Sequence, residues 1–250
     1  MTYYLKPNAD IEGFEANIWA YAVLINALDV LRSTAAPVPA IPLAADARAA
    51  LPAMPAWQPG EQRFTVKGPT PRAAIAVLLP GVDTYDITRA RRANLLGRVL
   101  GERVQDRLRT ELGAAYSPHA WHSAGGAYRD DGFFGVVVSV APEQADAALG
   151  HILGLLSDLR TQGVGADVFE RASIPLRKGI PNQLKQNGWW LNTLIRAADQ
   201  PFRLEWPKTL QSDYDAITAA DLSALAAELF DPERAVRIVG ICPGPAKPAP

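Results

Sequence analysis

The 250-residue chain has one cysteine, Cys242, and only three histidines, His119, His122 and His151. A single thiol closes no internal disulfide and builds no thiolate metal site, so a disulfide scaffold and a zinc ribbon are both excluded, and the redox compartment stays open. Charge of one sign is missing as well. With 25 basic against 26 acidic side chains the net charge is -1, which gives no bulk attraction to nucleic acid or to an anionic membrane. The longest apolar run, Ala16 to Leu28, is interrupted by Asn17 and Asn26 and falls short of the roughly 20 residues that cross a bilayer. Asp10, Glu12 and Glu15 stand where an export signal needs positive charge, against Lys6 alone, so this segment is read neither as an anchor nor as a signal peptide.

Reaction motifs are absent too. The sequence contains neither HExxH nor its inverse HxxEH, no G-x-S-x-G elbow, and no glycine-rich loop with phosphate- or dinucleotide-binding spacing. His119 and His122 come closest to a metal pair. They lie in an expected strand, however, where residues three apart face opposite sides, so two ordinary strand histidines are the commoner reading. Cys242 reads more readily as a small buried hydrophobe than as a nucleophile. The neighbouring Asp130 and Asp131 are the only adjacent carboxylates at a turn tip; an acid–base pair is one reading, a charged turn the commoner one.

What is present is core material: 48% of the residues are hydrophobic, enough for one large domain or two small ones. Residues 11 to 33 carry helical spacing (Phe14, Ile18, Tyr21, Ile25, Leu28). A Pro- and Ala-rich linker then runs to Pro59. We place residues 1–59 outside the main domain, in the position of a remnant of a preceding domain, and that domain itself at 60–243. Residues 244–250 form a Pro-rich tail expected to be disordered.

Within 60–243 the pattern predicts strands over 62–67 and 72–79, then a long helix over 86–112 with Gly113 as its stop. Strands over 115–123 and 132–141 follow, then a helix opened by Pro142 and running to Gln162. A helix beginning near Asp167 is expected to be kinked or broken by Pro175 and Pro181. The last two elements are a helix capped by Thr218 and a strand over 235–242. This order predicts an α+β fold with helices packed on one face of a largely antiparallel sheet. The outer face of the long helix is basic (Arg89, Arg91, Arg92, Arg98, Arg103, Arg107, Arg109), but interspersed acids make a solvated, salt-bridged face the commoner reading over phosphate binding.

The junction between that helix and the next strand stands out. Arg109 lies in the last helical turn and Tyr116 at the start of the strand, with Gly113 between them. A tight reversal there lets a guanidinium and a phenol converge as donors to a peptide carbonyl or an oxyanion. The simpler alternative has Arg109 capping its own helix and Tyr116 packing in the core.

The segment from Leu96 to Pro118, with Arg109, Gly113, Tyr116 and Ser117 in R-x-x-x-G-x-x-Y-S spacing, resembles the C-terminal half of M16 metallopeptidases, the pitrilysin, insulinase and mitochondrial processing peptidase family. Matching blocks continue through Leu51-Pro52, Gly68, the Ala73 to Leu79 strand, Pro142-Glu143, Asn187 to Leu191 and Tyr214 to Leu222, covering about residues 50 to 243. The resemblance implies an α+β domain of the metallohydrolase type, in which an Arg and a Tyr seven positions apart contact the substrate backbone from the non-catalytic half. It implies no cofactor on this chain, with zinc on a catalytic N-terminal half or subunit. The expected partners are that half and a peptide substrate, not nucleic acid or membrane. On its own the chain is not expected to be a peptidase. Its location is expected to be periplasmic if it derives from an exported precursor, otherwise cytoplasmic. The alternative is a degenerate stand-alone binding or assembly domain with no proteolytic role. Pro175, Gly179 and Pro181 depart from the family, whose helix there is unbroken.

Overall fold

The computed structural model describes Pro52, residues 56–113 and residues 118–244. The expected helix over 11–33, nearly all of the linker and residues 245–250 of the tail lie outside the described residues.

Five strands, β1 (Gly60–Thr65), β2 (Arg72–Pro80), β3 (His119–Ala124), β4 (Gly132–Val140) and β5 (Val236–Cys242), form one sheet in the order β1-β5-β2-β4-β3. All its neighbours are antiparallel except β1 and β5, which run parallel. Among the described residues the α-helices are α1 (Ile87–Leu112), α2 (Ala145–Gln162), α3 (Ala166–Gln183), α4 (Asn187–Asp199), α5 (Trp206–Ala216) and α6 (Ala219–Leu229).

β2 shows why the sheet holds. Its sequence AAIAVLL is apolar at every position, and Ala73 through Leu79 are all buried, as a central strand with both faces covered requires. Alternation sends Ala73, Ile75, Val77 and Leu79 into the main core beneath the helices. Ala76 and Leu78 join Val236 and Ile238 in a smaller cluster on the other face, where Trp57, Trp121 and Phe133 pack against them. Trp57 is held there by its indole N–H on the Arg234 carbonyl at 2.7 Å. The main core is closed by Phe134 edge-on to Phe230, ring centroids 4.9 Å apart.

α1 is specified at both ends. Asp86 accepts from the Arg89 N–H at 2.9 Å as N-cap, and Gly113, at φ 65°, donates to the Arg109 carbonyl at 3.2 Å. Leu95, Leu96, Val99, Leu100, Val104 and Leu108 are buried along one side, as the periodicity requires. The helix sits directly on β3: a Cβ on Gly97 would stand 2.7 Å from the His122 backbone nitrogen, closer than any side chain tolerates. α6 opens with the Thr218–Asp221 capping box.

Three expectations need correction. α3 is continuous through Pro175 and Pro181 rather than broken. Both prolines are on its exposed side, where the carbonyls that lose a donor are open to water, while Val168, Ala172, Ser173 and Ile180 anchor the other side. Helices α4 and α5 were not anticipated; α5 carries Pro207 in its first turn, a usable start signal. Arg91, placed by pattern on the solvated face, is only 2% exposed. Its guanidinium bonds Asp213, the Thr209 hydroxyl at 2.9 Å and the Trp206 carbonyl at 2.6 Å, tying α1 to α5. Arg89, Arg92 and Arg107 fit the salt-bridged reading, paired with Glu228, Asp221 and Asp158, while Arg98 and Arg103 make no ion pair among the described residues.

Candidate functional site

Arg109 stands on the exposed side of the last turn of α1 and donates to Asp106 at 2.9 Å. Asp106 also meets Arg171 of α3 at 3.4 Å, and Arg171 reaches Glu102 at 3.4 Å. The end of α1 is thereby braced to α3 by solvated charge pairs, each worth a few tenths of a kcal/mol. Tyr116 lies among residues 114–117, outside the described residues, as does the start of the strand expected from 115; the described β3 begins at His119.

Among the described residues β3 is bonded to β4 alone, so its other edge is open there. Along that edge runs a cleft of about 600 Å3. α1 contributes Asn94 and Arg98, one turn apart. α3 contributes Pro175, Gly179 and Gln183, at i, i+4 and i+8 on one face. Leu210 and Tyr214 come from α5. β3 contributes the run from His119 to His122, with the His119 and Trp121 rings stacked, centroids 5.1 Å apart, on the sheet face away from the helices.

Polar groups beside the cleft are joined in a chain. His122 is buried; its Nε2 accepts from the Val82 N–H at 3.3 Å, and its Nδ1 lies 3.2 Å from Asn94 Oδ1. Burial pushes the imidazole down from its ordinary value to about 4, so near neutral pH it carries one proton, and the Val82 bond places that proton on Nδ1. Asn94 also bonds the Tyr214 hydroxyl, whose pKa is raised by burial. This chain fixes α1, β3 and α5 around the cleft.

Sequence reading missed the cleft because its residues come from four separated segments. The signal available was the pairing of Pro175 with Gly179, which leaves one face of α3 poor in side chains.

At the β3–β4 turn, Asp131 accepts from the Ala127 N–H at 3.1 Å, and the Asp130 N–H donates to Asp83 at 2.9 Å. The turn is built by carboxylates bonding backbone, a structural use. Cys242 is buried, as expected. Another recess, of about 300 Å3, lies between Asp83, Asp86, Arg89 and Asp130.

The residues do not suit a zinc ion. His119 pairs with Val137 on the open face of the sheet, whereas His122 pairs with Phe134 on the helix-covered face. Both ring nitrogens of His122 are already engaged. Among the described residues no three His, Cys, Asp or Glu side chains come close enough to share a metal. Also among them, no helix is long and apolar enough to cross a membrane.

Comparison with known proteins places this geometry. The family model described as the peptidase M16 inactive domain matches residues 27–176. No curated protein matches the chain. Solved structures do. The peptidase M16 inactive domain from Pseudomonas fluorescens aligns with a TM-score of 0.64 at 14% identity, over 78% of this chain and 46% of that one. An inactive peptidase domain from Bordetella parapertussis aligns at 0.62 and 13% identity, over 74% of this chain and 98% of its own. The periplasmic protease PqqL from Escherichia coli aligns at 0.61 and 13% identity, over 75% of this chain but 21% of its own. The chain thus spans less than half of the first and last of these. With the family model matching more than half of its residues, this chain belongs to the peptidase M16 inactive-domain family.

Proposed function

We propose that this chain is the non-catalytic half of an M16-type zinc metallopeptidase, holding peptide substrate for a catalytic half or subunit that carries the zinc. The unit that does so is residues 60–243. The observation that carries the reading is the exposed position of Arg109, in the helical turn leading to the open edge of β3 and seven residues before Tyr116. A guanidinium and a phenol at that end donate to substrate carbonyls. Such contacts raise the fraction of substrate held in attack geometry without taking part in bond breaking. If the chain is exported, it works in the periplasm, the compartment named for PqqL.

The test is reconstitution. Mixing the full chain with an HxxEH-bearing M16 chain encoded beside it should produce peptide cleavage that neither chain gives alone. Arg109→Ala should lower kcat/KM about tenfold, and Tyr116→Phe several-fold, the scale of losing a charged and a neutral hydrogen bond. Full cleavage by both variants would remove the assignment.

A second reading, a stand-alone assembly domain, draws on α4. Trp190, Leu191, Leu194 and Ile195 are exposed along it, a stripe wide enough to be an interaction surface. A chain that forms a defined complex yet supports no cleavage with any zinc-bearing half would favour this reading.

A further inference from the structure

The cleft along the open edge of β3 has a definite chemical character. Among the described residues its lining contains no carboxylate. Arg98, exposed at its border, has no carboxylate within ion-pair reach among the described residues, unlike Arg89, Arg92, Arg107 and Arg109 on the same helix. Leu176, Ile180 and Leu210 supply an aliphatic surface. A cavity of about 600 Å3 lies within the ordinary range of ligand sites.

Gly179 keeps the cleft open. Glycine is the poorest residue for a helix interior after proline, yet it stands in the middle of α3 on the face that lines the cleft. Its φ is ordinary, and a Cβ there would meet nothing within 4 Å. Neither backbone strain nor crowding in the fold demands a glycine at this position. The missing side chain leaves this part of the cleft open.

We infer that this cleft binds a peptide carboxylate adjacent to an apolar or aromatic side chain, with Arg98 pairing the carboxylate and the aliphatic wall of Leu176 and Leu210, beside Gly179, taking the side chain. This deepens the peptide-holding reading above and rests on it. The same chemistry comes from two sources: the α-carboxylate of a peptide ending in an apolar residue, or an internal Asp or Glu next to one. Guanidinium–carboxylate pairing suits either.

The test is fluorescence anisotropy of the full chain, without any catalytic half, against labelled peptides. One peptide ends in Phe as the free acid, one carries the same sequence as the C-terminal amide, one is an amide with internal Glu-Phe, and one is an amide with Gln-Phe. Binding of the free acid but not its amide assigns a C-terminal carboxylate; binding of the Glu-Phe amide but not the Gln-Phe amide assigns an internal one. Arg98→Gln should weaken the preferred peptide about tenfold, and Gly179→Trp should abolish binding by filling the space. Gly154→Ala, on α2 and outside the cleft lining, serves as the control and should bind normally, and thermal melting confirms that each variant folds. If a peptide binds but folded Arg98→Gln and Gly179→Trp bind it equally well, the cleft assignment is overturned while the peptide-holding reading stands. If no peptide binds, and reconstitution with a zinc-bearing half also gives no cleavage, both fall. If reconstitution succeeds without binding in this assay, only the cleft assignment falls.

Discussion

α1 and α3 face each other across the cleft and are made on opposite principles. α1 has side-chain and glycine caps, a continuous buried stripe, a buried arginine and a glycine pressed against the β3 backbone. α3 has no side-chain cap, two internal prolines, a glycine facing empty space and only four buried residues. The first is determined by its own sequence and then used as a platform. The second is helical because Val168, Ala172, Ser173 and Ile180 are held against the rest of the domain, and because Arg177 fastens its middle to the Tyr214 and Ile217 carbonyls at 3.0 and 2.9 Å. The difference shows how one wall of a site can be kept loose and side-chain-poor while the other is fixed.

Breaking the rigid side should have the largest effect. Arg91→Ala removes four bonds from α1 to α5 and strands the partly buried Asp213. Urea unfolding should report a loss of about 3–5 kcal/mol, the range for breaking a buried ion pair from one side. An unchanged midpoint would mean that α5 is not held through this residue.

The next effect is in pH. The imidazole of His122 takes its proton at about 4 in the folded chain and near 6.5 when unfolded. Between these values the unfolded state binds more protons, so this contribution to stability is complete above the unfolded value and falls as pH drops, levelling off below about 4. The difference amounts to ~3 kcal/mol. His122→Gln should flatten the stability profile of the chain over that window in parallel urea titrations, and an undiminished slope would place the titrating group elsewhere.

The smallest effect sharpens the loose side. Gly179→Ala should raise stability by about 0.5–1 kcal/mol, the helix-propensity difference, because the added methyl meets nothing. A loss instead would show that this position is crowded after all.

These helices also divide what the sequence reveals from what it hides. α1 is legible because Asp86, the Leu/Val periodicity and Gly113 all agree, and β2 because an uninterrupted apolar run has few other uses. α6 announces itself through Thr218 and Asp221. The continuity of α3 is hidden, since local chemistry argues for a break at each proline and only tertiary packing overrides it. α4 lacks a side-chain cap and leaves most of its surface exposed, so nothing local marks its start. Arg91 is misread for a related reason. A basic residue among basic residues looks solvated until the carbonyls of Trp206 and Thr209, over a hundred positions on, are found around it. Of the candidate site, Arg109 is read locally, but the cleft requires four segments to meet.

The strand order carries a consequence for how the chain reaches this state. β5, the last described strand, does not extend an edge but lies between β1 and β2, strands made at the opposite end of the domain. Until it is in place, β1 has no partner and β2 is an open apolar edge, so a nascent chain emerging from the ribosome cannot close its sheet before residues 236–242 are available. Such long sequence separations slow folding and prolong exposure of unpaired strands. Completion of the core therefore waits on residues 236–242, when α1, α2 and α6 are already available to cover it.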